Sequence, residues 1–247
     1  MRSSNPMLRD TIYTNETVLT EMPMTINGTL NKLFLLFSVF ILGAAATWYK
    51  FSLGHLDFIS NVSIIAFFVG LVLAFVIPFF PKTAPYLSPV YAFAEGVILS
   101  YISSLFEAQY PGIVIQAVSI TFLCLFVMIC CYKFNIIRAT DTFRKVLLLS
   151  TISIGVFYLI SIVATFFFKV NIPYFSLSAD PISIVLNVVI AVIACLNLIV
   201  DFDFIERGAK NMAPKYLEWY GAFGLIVTLL WLYLEILRLL ARFSSRR

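Results

Sequence analysis

The 247-residue chain carries a formal charge of +4, is 61% hydrophobic and only 12% charged, and has a mean hydropathy of +0.97. That balance excludes an ordinary soluble domain and marks an integral membrane protein. The positive charge requires no nucleic-acid partner, because basic loops on one face of a bilayer, helped by anionic lipid, account for it.

Residues 1–29 read as a polar amino-terminal tail. No apolar core of the signal-peptide kind opens it, and Asp10, Glu16 and Glu21 speak against a transit peptide. Seven apolar runs follow, each near the ~17–25 residues that cross a bilayer as a helix: Leu30–Tyr49, Phe58–Phe80, Tyr86–Phe106, Ile113–Tyr132, Val146–Phe168, Pro181–Val200 and Trp219–Leu240. Helices are required because backbone in lipid must satisfy its own hydrogen bonds, and the runs lack the alternation of barrel strands. The connections are too short for a soluble domain, so residues 30–247 read as one all-α domain, a seven-helix transmembrane bundle.

Basic residues orient it. With the amino terminus inside, Arg2, Arg9, Lys32, Lys82, Lys133, Arg138, Arg144, Lys145, Arg207, Lys210 and Lys215 lie on the cytoplasmic side, against Lys50 and Lys169 outside. The last segment conflicts with this rule, since an odd number of spans puts Arg242, Arg246 and Arg247 outside; it either spans against the rule or re-enters. Cys124, Cys130, Cys131 and Cys195 all fall inside spans without metal-ligand spacing and read as small apolar residues. His55 reads as a solvated loop residue, and the glycosylation triplets at Asn15, Asn27 and Asn61 as chance matches. No cofactor motif is present.

Ionisable residues inside the spans are the functional candidates, because a charge at the bilayer centre costs ~2.5–3.5 kcal/mol on insertion scales. In the sixth run, Asn187, Ala191, Ala194, Asn197 and Asp201 share one helical face, whose small and polar residues suit helix contact, so Asp201 turns inward. Asp203 falls on another face and stacks with Glu206 and Arg207 as an ion pair at the helix end. The seventh run carries Gly221, Gly224, Thr228, Trp231, Glu235, Arg238 and Arg242 on one stripe, which makes it the most enclosed helix; the plain alternative for Glu235 is a local salt bridge to Arg238. Glu95, at mid-span in the third run, is either a protonated interhelical hydrogen-bonding group or a pathway residue. If Asp201 and Glu235 converge, the two carboxylates share a proton and titrate as a unit, a pH-dependent helix contact. Deprotonated, the pair offers the oxygen ligands calcium prefers, a transient metal site.

"RSSNPMLRD", "MTINGTLNK", "YAFAEGVILSYIS", "IVDFDFIERG" and "LWLYLEILRLLARF", in this order and across almost the whole chain, resemble the Bax inhibitor-1 family, in particular its bacterial branch. The resemblance implies six helices around a central seventh, a bacterial cytoplasmic membrane location, and a pH-sensitive calcium leak. It maps an acidic sensor pair onto Asp201 and Glu235, with Glu235 departing from the family's aspartate and so changing the reach, and it leaves Lys82 as the counterpart of a basic latch.

Two functions compete. The first is a proton-regulated calcium or cation leak channel sensed by Asp201 and Glu235, with Glu95, Asp203, Arg238 and Lys82 in secondary roles. The second is a non-transporting regulator of a membrane protease or of stress and cell-death machinery, contacting its partner through the segment Arg9–Asn31. An enzyme is not expected, because Gly-x-Gly-Asp and Gly-x-Ser-Gly motifs are missing, and a retinal receptor is expected still less, because the last run has no lysine for a Schiff base.

Overall fold

A computed structural model describes residues 23–168 and 180–245. The tail through residue 22, with Arg9 and the Asn15 triplet, as well as Lys169, Arg246 and Arg247, lies outside the described residues. Among the described residues, seven helices are long and apolar enough to cross a membrane. They are α1 (Ile26–Ser52), α2 (Leu56–Phe79), α3 (Ala84–Gln109), α4 (Ile113–Lys133), α5 (Asp141–Phe168), α6 (Pro181–Lys210) and α7 (Leu217–Ser244), with a short 3-10 turn at Pro81–Thr83 between α2 and α3. The chain is therefore an integral, multi-pass, all-α membrane protein.

Each apolar run coincides with one helix, except that Phe80 of the second run lies just past the end of α2, and several helices outrun their apolar part. α1 begins at Ile26, where Thr25 Oγ1 accepts from Gly28 N at 2.9 Å. α6 continues past Val200 to Lys210, because polar residues can extend a helix beyond the hydrocarbon. Before α4, Gly112 adopts φ +86°, a left-handed conformation that favours glycine. The Glu107 carboxylate accepts from Gly112 N at 2.6 Å and Val114 N at 3.1 Å there, which commits that acid to closing a turn.

α7 is the most enclosed helix: 56% of its apolar window is buried, more than in any other span. It packs mainly against α1, α3, α4 and α6. α2 leans on α3 and α1, and α5 chiefly on α6. The central seventh helix is thus present, with α2 and α5 packed mainly against α3 and α6 respectively, and α5 reaching α7 through Tyr158. Glycines set the tightest contact. A Cβ on Gly96 would stand 2.2 Å from Phe40 O, and one on Gly43 2.5 Å from Phe93 O, so α1 and α3 approach backbone to backbone. Ser100 Oγ donates across the same contact to Ala44 O at 2.9 Å.

The α1, α3, α5 and α7 helices start at one end of the bundle, with the connections carrying Lys82, Lys133, Arg138 and Lys215; we call this the basic end. There, residues just before α1 cross the α6–α7 connection: Met24 N donates to Ala213 O at 2.7 Å, and Pro23 bridges Pro214. At the opposite end, α7 runs on unbroken, which corrects the re-entrant alternative. Arg242 is buried there and donates to the Ser183 carbonyl, so it faces protein rather than water. Its charge therefore carries no vote in a rule that counts water-facing loops.

Candidate functional site

The polar stripe of α7 and the Asn187–Asp201 stripe of α6 face each other, as their small residues dictate: Asn187 and Ala194 are fully buried, while Val188 and Val192 are exposed. Asp201 lies against Gly224, with Oδ1 3.8 Å from where a Cβ would stand. The Thr228 hydroxyl, one turn beyond Gly224 on α7, donates to Gly224 O at 3.2 Å. Asp201 Oδ2 is buried without a hydrogen-bond partner.

Glu235 is fully buried in a different set of contacts. Oε1 accepts from Tyr158 Oη at 2.6 Å and from Arg238 Nη1 at 3.0 Å, and Oε2 from Asn187 Nδ2 at 2.7 Å. The local salt bridge to Arg238 is present, joined by partners from α5 and α6.

The two carboxylates do not pair. Asn187, which touches Glu235, precedes Asp201 by about four turns of α6, roughly 21 Å. Antiparallel helices joined by a short connection face each other at similar distances from it. Asp201 comes shortly before that connection and meets Gly224, shortly after it; Glu235 is far along α7 and meets Asn187, far back along α6. The inward orientation of both stripes is observed, while the convergence into one sensor or one calcium site is corrected by this register.

Asp203 sits at the basic end, ion-paired to Arg207 and, at 3.1 Å, to Arg144 of α5. The end-of-helix pair is present and is shared with a second helix. Glu95 is half-buried where α2 meets α3, facing Gly70, whose Cβ would stand 3.3 Å from its Oε1. It joins neither Asp201 nor Glu235. Lys82 is exposed in the connection before α3.

One buried acid escaped the sequence reading. Glu218 is 1% exposed; its Oε1 accepts from Thr25 N at 3.0 Å and Thr25 Oγ1 at 3.1 Å, and Lys32 Nζ lies 3.8 Å from Oε2. The signal was the α7 stripe itself, which, continued one turn back from Gly221, reaches Glu218.

A family model described as Bax inhibitor 1 like matches residues 5–245. The chain belongs to this family. No curated protein and no solved structure matches the chain. Within this family member, then, three acids stand apart from one another: Glu218 at the basic end beneath the residues preceding α1, Asp201 somewhat deeper between α6 and α7, and Glu235 in the opposite half.

Proposed function

We propose that this protein is a proton-regulated cation leak, with calcium as a permeant ion, in a bacterial cytoplasmic membrane and with its basic end in the cytoplasm. The observation that carries the reading is the pair of acids on the facing stripes of α6 and α7, set in successive halves of the bundle. Acids retained at such depth cost several kcal/mol unless they serve an internal pathway or partner. Their separation makes them two stations rather than one gate.

The chemistry differs between the stations. Ionised Asp201 has a free oxygen for a passing cation; protonated, it can donate to Thr228 and tie α6 to α7. Glu235 accepts from Tyr158, Asn187 and Arg238 and fixes α5, α6 and α7 to one another. Protonation would weaken its charge-assisted bond to Arg238 and loosen that junction. Acidification that protonates Asp201 therefore removes its cation ligand, so calcium flux into proteoliposomes should fall as the pH is lowered. Asp201→Asn should leave a low flux with a flat pH profile. Flux that keeps its pH dependence in Asp201→Asn would contradict the role given to this residue.

The regulatory reading draws on the fastening of Met24 and Thr25 at the basic end, which holds these two residues beside the α6–α7 connection. A regulatory phenotype lost on deletion of residues 1–22, with calcium flux retained, would favour it over the leak.

A further inference from the structure

α5 is attached differently from the other helices. Arg144, Leu147, Thr151, Ile154, Tyr158 and Ser161 recur along it at alternating spacings of three and four, and these positions turn away from lipid. On the other face Leu148, Leu149, Ile152, Leu159 and Ile160 are exposed. The helix packs chiefly on α6.

Its named side-chain contacts with α6 and α7 are polar and come at heptad intervals, about 10.5 Å apart along the helix. Arg144 Nε lies 3.1 Å from Asp203 Oδ2 at the basic end. Thr151 Oγ1 accepts from Asn197 Nδ2 at 3.0 Å in the middle. Tyr158 Oη donates to Glu235 beside Asn187 in the far half. These rungs cross most of the thickness of a bilayer core. Two buried polar atoms near the last rung have no hydrogen-bond partner, Oγ of Ser161, which is 1% exposed, and Oδ1 of fully buried Asn187.

Oily helices that merely pack can part and let lipid fill the gap. Polar rungs cannot, because each group would be left unsatisfied in hydrocarbon at a cost of several kcal/mol. When α5 moves from α6, water must follow, and the unpartnered Ser161 and Asn187 atoms are ready acceptors for it. The basic groups beside the seam are matched, Arg144 by Asp203 and Arg238 by Glu235, which lowers the barrier they would raise against a cation.

We infer that the α5–α6 seam is the aqueous route through the protein, that α5 is its movable wall, and that a hydrated cation is its occupant. The occupant rests on the leak reading; the hydration of the seam does not.

The test places single cysteines in full-length protein whose four native cysteines are replaced by alanine, reconstituted in liposomes. Thr151→Cys and, as a second seam position, Ile154→Cys are compared with the lipid-facing Ile152→Cys and Leu159→Cys. A charged, membrane-impermeant methanethiosulfonate reagent should modify the seam cysteines an order of magnitude faster, and modification should abolish most of the calcium flux. Seam cysteines no faster than Ile152→Cys would overturn the inference and leave the rungs as dry interhelical bonds. Fast modification with unchanged flux would also overturn it, since ions then travel elsewhere while the leak reading survives. Fast modification in a protein that carries no flux before labelling would overturn the cation as occupant together with the leak reading, and uphold the hydrated seam.

Discussion

Glu218 organises the basic end with a single carboxylate. It satisfies the Thr25 backbone N–H and hydroxyl, and the Thr25 hydroxyl in turn caps α1 through Gly28 N, so the start of α1 is tied to the start of α7. Glu218→Ala leaves the Thr25 donor groups without their buried acceptor, and we expect a loss of about 1–3 kcal/mol, read as a lower thermal midpoint in detergent. Glu218→Gln keeps an acceptor and should lose clearly less. Gly28 leaves room for this carboxylate: a Cβ there would stand 2.0 Å from Glu218 Oε1 and would displace it. Equal midpoints for Glu218→Ala and wild type would show that the fastening contributes nothing. The α7 stripe, continued one turn back, points to Glu218, but its partner Thr25 is 193 residues away and could not be read from spacing.

At the scale of helices, the α1–α3 crossing tests how close contact in lipid is achieved. Without a hydrophobic drive between apolar helices, small residues supply the association by letting backbones meet. Gly96→Ala forces a Cβ to within 2.2 Å of the Phe40 carbonyl, a backbone atom that cannot swing aside. We expect about 1–3 kcal/mol of destabilisation from the overpacking, measured by thermal unfolding in detergent. Gly155, whose Cβ would meet nothing within 4 Å, serves as the control and should tolerate alanine. The apolar runs and the two inward stripes were legible in the sequence, since burial of Asn187, Ala194 and Glu235 follows from helical spacing. The register between the stripes was legible too but is easily overlooked: a hairpin turning near residues 211–216 sets Asp201 beside the first turns of α7, never beside Glu235. What spacing could not supply was the attachment of α5, because Thr151 and Tyr158 look like ordinary span residues until Asn197 and Glu235 are placed opposite them.

For the whole molecule, seven crossings with α7 innermost put the acids at successive depths along one bundle. The Arg242 contact with Ser183 locks the far ends of α6 and α7 together, so a basic residue can occupy the end that the loop charges leave sparse. Asp203, held between Arg144 and Arg207, does the same for α5 and α6 at the basic end. Asp203→Asn should weaken this tie and raise the rate of seam modification at Thr151→Cys; an unchanged rate would detach Asp203 from the movement of α5. The central claim is that Asp201 and Glu235 act as separate stations. It is tested most directly by calcium flux into proteoliposomes at fixed pH for Asp201→Asn, Glu235→Gln and the double variant. Independent sites have additive free energies, so the logarithmic losses of the single variants should sum to that of the double within about 0.3–0.5 kcal/mol. A double variant no more impaired than either single one would mean that the two carboxylates work as a coupled pair, and would contradict the account.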